Sequence, residues 1–84
     1  MILASGGFNW TWYLELEMVG DGVKIHKHYR LHDERDKHPK YTGTFKIIES
    51  KGRIATSVEV REMPNWEEKT YQVINPQHVF SYGE

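Results

Sequence analysis

The chain has 84 residues, enough to build one small core but too few for a second. With 38% hydrophobic, 13% aromatic and 27% charged residues, its composition is that of a folded globule, which excludes disorder as the main state. Eleven Lys plus Arg against twelve Asp plus Glu leave a formal charge of −1, so the whole molecule is not drawn to phosphate; the absence of cysteine excludes disulfides, thiolate zinc sites, iron–sulfur clusters and cysteine nucleophiles.

Met1-Ile2-Leu3-Ala4 is apolar but lacks the charged lead-in and the longer hydrophobic run of a secretory signal, which predicts a cytoplasmic protein. No window approaches the roughly 18 apolar residues needed to span a bilayer. The formal glycosylation acceptor Asn9-Trp10-Thr11 reads as chance without a secretion signal. Residues 1–84 are expected to form a single small β domain, with 1–8 as a flexible or loosely packed N-terminal segment.

Val, Ile and Thr number seventeen against six for Ala plus Leu, a balance that favours strands over helices. From Asn9 to Val19, Trp10, Trp12, Leu14, Leu16 and Met18 fall on one face at period two, with Thr11, Tyr13, Glu15 and Glu17 on the other. Gly20-Asp21-Gly22 supplies a turn, and Val23 to His32 resumes the alternation with Val23, Ile25, Tyr29 and Leu31 apolar. An Asp21-Gly22 turn sets Met18 against Ile25, Leu14 against Tyr29 and Trp12 against Leu31. Lys27 alone spoils the apolar face. On the outer face this register pairs Glu17 with His26, Glu15 with His28 and Tyr13 with Arg30; a Gly20-Asp21 turn shifts partners by two and keeps both faces.

Residues 33–40 mix both charge signs without an apolar residue and read as an exposed loop. A second hairpin follows, Tyr41 to Glu49 with Ile54 to Glu62; a Lys51-Gly52 turn puts Phe45 opposite Val58 and Ile47 opposite Thr56. Met63 to Glu68 reads as a loop or short helix around Pro64, Thr70 to Ile74 as a strand, and Val79 to Tyr82 as a sixth. The expected fold is all-β, a small antiparallel barrel or strongly twisted sheet of five to six strands. The strand, Asn75-Pro76 turn and final strand resemble the end of an SH3-like barrel, and this topological resemblance favours that topology over an OB-like one.

The outer face of the second strand presents Lys24, His26, His28, Arg30 and His32 at consecutive outward positions. Its simplest reading is a solvated face balanced by Glu15 and Glu17. Its functional reading is a contact surface for phosphates, an acidic partner or a metal, since His26-x-His28 with the two glutamates offers zinc-type ligands, though this spacing is weakly specific. Tyr13 reads as an exposed aromatic beside Arg30. Trp66 either plugs one end of the barrel, the favoured reading, or stands out as a recognition anchor. His78 reads as satisfying local backbone groups.

No nucleophile elbow, P-loop or dinucleotide fingerprint occurs, and Glu15 and Glu17 lie on an outward face rather than in a pocket, so no enzymatic role is expected. The expected function is a non-enzymatic protein-binding module, as an accessory subunit or small inhibitor of a larger complex. The expected partner-binding residues are Tyr13, Glu15, Glu17, Lys24, His26, His28, Arg30, His32 and Trp66. The alternative is a barrel that binds single-stranded nucleic acid through the basic stripe with Tyr13 as stacker. No cofactor and no membrane contact are expected, and the chain is expected as a monomer or weak homodimer.

Overall fold

The structure, a computed structural model, describes residues 1–32 and 41–77. The expected 33–40 loop, His78 and the expected strand Val79 to Tyr82 lie outside the described residues.

The described residues form six strands, β1 (Ile2–Gly6), β2 (Trp10–Val19), β3 (Gly22–His32), β4 (Tyr41–Lys51), β5 (Ile54–Glu62) and β6 (Glu68–Val73). They close into a barrel in the ring order β1-β2-β3-β6-β5-β4. Two antiparallel meanders, β1-β2-β3 and β4-β5-β6, meet at two parallel seams, β1 with β4 and β3 with β6. The all-β barrel agrees with the sequence reading, which did not anticipate the parallel seams.

β1 is a correction. Residues 1–8 were expected as a flexible or loosely packed segment, yet Leu3 is fully buried, opposite Leu14 on one side and Gly43 on the other. The Leu16 N–H donates to the Met1 carbonyl at 2.9 Å, and the Met1 amino group donates to the Leu16 carbonyl at 3.1 Å. A short apolar run gains little by itself; here it stabilises because it closes the ring and leaves no free sheet edge between the meanders.

The first hairpin takes the Gly20-Asp21 turn that the sequence left as its alternative, and the second turns one residue later than expected, for one reason. Val19 pairs with Gly22 and Lys51 with Ile54, so the two-residue turns are Gly20-Asp21 and Gly52-Arg53. Gly20 and Gly52 have φ of 58° and 61°. Glycine at the first central position is what a type II′ turn needs, and its twist matches that of the flanking strands. In β4 and β5 this pairs Phe45 with Val60 and Ile47 with Val58.

The barrel interior is filled by Leu3, Leu14, Leu16, Val23, Phe45, Val58, Val60 and Val73, with Trp12, Ile25, Ile47 and Tyr71 packed against them. Gly43, which pairs with Leu3 of β1 and Glu62 of β5, has no room for a side chain, because a Cβ there would run into the Arg61 carbonyl of β5. No helix among the described residues is long and apolar enough to cross a membrane.

Candidate functional site

The site begins with an irregularity in the first hairpin. From the turn, Met18 pairs with Val23, Glu17 with Lys24 and Leu16 with Ile25; the next pair is Glu15 with Lys27, then Leu14 with His28, Tyr13 with Tyr29 and Trp12 with Arg30. His26 is the extra residue of a β-bulge. Because side chains alternate strictly along a strand, one extra residue exchanges the faces beyond it. Lys27 moves outward, and His28 and Arg30 take the face shared with Leu14 and Trp12. The misplaced Lys27 of the regular register was the signal that this bulge leaves in the sequence.

The outward stripe of five basic or titratable residues is therefore broken. Lys24 and His26 are exposed, and His26 Nε2 lies 3.3 Å from Glu17 Oε1, a contact with the expected partner even though Glu17 pairs with Lys24. Glu15 is half-buried opposite Lys27 rather than His28. His28 is buried, so it shares no face with His26, and the two do not converge as a ligand pair. His32 is exposed opposite Trp10 at the far end of β3.

Tyr13 is corrected as well. It is fully buried, with its ring stacked on Tyr29 at 5.5 Å, so it presents no flat face to a base or a partner. Burial raises the Tyr29 pKa, with Glu15 and then Tyr13 adding to the effect. Trp66 is not a plug: it is 38% exposed, at φ 57° in the β5–β6 turn. Its N–H donates to the Glu62 carbonyl at 2.7 Å, and its own carbonyl accepts from Arg61 Nε at 3.2 Å.

Strand direction separates these residues. β1, β3, β4 and β6 run one way and β2 and β5 the other, so the turns after β1 and β4 share one end of the barrel. The turns after β2 and β5, with Glu17, Lys24 and Trp66 near them, share the opposite end.

The first of these ends carries the most chemistry. The Gly7 N–H donates to the Trp10 carbonyl at 2.8 Å and closes the β1–β2 turn. Gly7 lies so close to the Trp10 indole that a Cβ would meet its Nε1 at 2.5 Å. The Arg30 guanidinium lies 5.7 Å from the Trp10 ring and 5.9 Å from Trp12, within cation–π range of both. Trp12 meets His28 at 4.9 Å, and His28 stands edge-on to Phe45 at 5.6 Å. Phe8, at the tip of the same turn, is 91% exposed.

Beside this series, the last parallel pair of the β1–β4 seam is Ala4 with Thr44. Past it lies a cleft of about 500 Å³ walled by Trp12, Phe45 and Ile47, with Ser5 and His28 as polar members and Lys46 and Arg53 completing the lining. Burial penalises a charged imidazole and lowers the His28 pKa to about 4, so His28 is neutral at neutral pH. Phe8, Ser5, Phe45, Lys46, Ile47 and Arg53 were not foreseen as site residues. Phe8, a large apolar residue in a Gly-Gly-Phe-Asn turn, was the legible clue among them.

Among the described residues, no group of three or more His, Asp or Glu is placed to hold a metal ion. Comparison with protein-family models, with characterised proteins and with solved structures finds no match to this chain.

Proposed function

We propose that this chain is a non-enzymatic protein-binding module, an accessory subunit or small inhibitor of a larger complex, that docks through the end of the barrel bearing Phe8, Trp10 and Arg30. The observation that carries this reading is Phe8, 91% exposed on a turn held by the Gly7–Trp10 hydrogen bond. Burying a phenylalanine side chain in a partner's pocket contributes about 2 kcal/mol. A turn already fixed in shape loses little entropy on docking. Arg30 and the Trp10 ring beside it supply the aromatic and guanidinium chemistry that dominates interface energetics. This docking end replaces the outer hairpin face, where Tyr13 and His28 are buried. The nucleic-acid alternative loses the same two residues, its stacker and part of its basic stripe.

The test is capture from source-cell lysate with and without nuclease, comparing the native chain with Phe8→Ser. A stoichiometric protein that survives nuclease and falls by about tenfold with Phe8→Ser is the expected result. Equal recovery by both chains, or co-eluting material that vanishes with nuclease, overturns the reading.

A further inference from the structure

The cleft at the parting of β1 and β4 plays no part in docking through Phe8, and its chemistry points to a different occupant. His28 stands between two aromatic walls, 4.9 Å from the Trp12 ring and edge-on to Phe45 at 5.6 Å, so an indole, an imidazole and a phenyl line one cleft with Ile47 beside them. Rings in this arrangement favour a flat apolar body, which meets them face-on or edge-on. At about 500 Å³ the cleft lies within the range that buries most of a small molecule. Among the described lining residues, a charged ligand finds no charge left to match it. Lys46, exposed at the mouth, lies opposite Glu59 in the β4–β5 register, and Arg53 already has a partner of its own. Deeper in, burial keeps His28 neutral at neutral pH, so an ion placed there would lose its water without gaining a counter-charge. Half-buried Ser5 adds a hydroxyl, which serves an uncharged polar group.

We propose that this cleft binds a small, uncharged, planar aromatic molecule, its ring against Trp12 and Phe45 and a hydrogen-bonding group at Ser5. The walls select the ring by the apolar area it buries, and the balanced charges at the mouth give an ionic substituent nothing to offset its desolvation. The site is independent of the Phe8 surface, and either proposal can fail without the other.

The test titrates the full isotope-labelled chain at neutral pH with three probes that share one ring system, the uncharged 2-naphthol, the anionic naphthalene-2-sulfonate and the cationic 2-naphthylmethylammonium, followed by NMR. The expected result is saturable shifts at the Trp12 indole N–H and the Ile47 amide with 2-naphthol, and affinities about tenfold weaker for both charged probes. Ser5→Ala is expected to weaken 2-naphthol by about fivefold, the loss of one hydrogen bond. Absence of saturable shifts at Trp12 and Ile47, or a charged probe that binds as tightly as 2-naphthol, overturns the proposal. Shifts at Trp12 that follow chain concentration with no probe present place a second copy in the cleft and overturn it as well. Because these shifts are read on the native chain, the outcome does not depend on how the variant folds.

Discussion

Glu15 lies directly opposite Lys27, while its neighbour Leu16 lies opposite Ile25. One uncounted residue, His26, therefore separates an exposed, charged end of the first hairpin from an aromatic end whose side chains face inward. His28 enters the core only because of that slip, against Trp12 and Phe45.

The first consequence is a pH dependence of stability. The His28 pKa falls from 6.5 to about 4 because burial disfavours the charged ring, so between these values the unfolded chain binds a proton that the folded chain does not. The stability this residue contributes is complete above pH 6.5 and is lost as pH falls toward 4. At ~1.36 kcal/mol per pH unit, its share of that loss is about 3 kcal/mol. Urea titrations of the native chain and His28→Leu across this window should converge or cross on acidification, and parallel curves would refute the assignment.

Turn geometry gives a second prediction. Gly20 and Gly52 occupy left-handed backbone, at φ 58° and 61°, and a Cβ at either meets nothing within 4 Å. Alanine there is opposed by backbone conformation alone, so Gly20→Ala and Gly52→Ala should each cost about 1 kcal/mol in chemical denaturation. A cost near zero would show that the turns lie elsewhere.

Gly43 differs in mechanism. A side chain there meets the Arg61 carbonyl and comes within 3.0 Å of the Glu62 Cα, both backbone and unable to swing away. Gly43→Ala should cost about 2–3 kcal/mol, as overpacking does. Because Gly43 pairs with Glu62 and the clash is with the β5 backbone, the loss should appear as faster hydrogen exchange between β4 and β5. A thermal midpoint unchanged from the native chain would contradict this close approach of β4 to β5.

Arg30 and Trp10 should be coupled energetically. At 5.7 Å from the ring centroid, the guanidinium gains about 0.5–1 kcal/mol from the indole face. A double-mutant cycle of Arg30→Met and Trp10→Leu separates that pairwise term from whatever else either side chain does. A coupling below about 0.3 kcal/mol would remove Arg30 from the docking end as an ordered element.

Much of the fold was written locally. Alternation from Trp10 to Leu16 placed Trp12, Leu14 and Leu16 inside, and the Gly20 and Gly52 neighbourhoods marked both hairpins. The faces of β2 were right over that stretch, but the exposure of its outer side was not: Tyr13 was expected in solvent and is fully buried. Period-two reading says which side of a sheet a residue takes, and nothing in it says whether that side is covered.

The candidate site was less legible. Lys27 on an otherwise apolar face was the trace of the bulge, but a misfit names no particular extra residue. Met1-Ile2-Leu3-Ala4 was too short for its pattern to tell a strand from a loose end. Trp66 stands exposed instead of plugging the barrel end, at positive φ in a turn whose hydrogen bonds tie it to Arg61 and Glu62.

The sequence by itself determined an all-β chain, two hairpins, and most of the apolar residues that fill the barrel. These follow from alternation and turn chemistry, which act over a few residues. Only the tertiary structure decided that β1 closes the ring against Gly43, that His26 bulges and turns His28 inward, and that Ser5, Phe45 and Arg53 meet around one cleft. Those outcomes depend on residues far apart in the chain being brought to one place, as Ser5 and Arg53, 48 positions apart, are around the cleft. Their free energy comes from burial shared across the ring, and no single segment carries it.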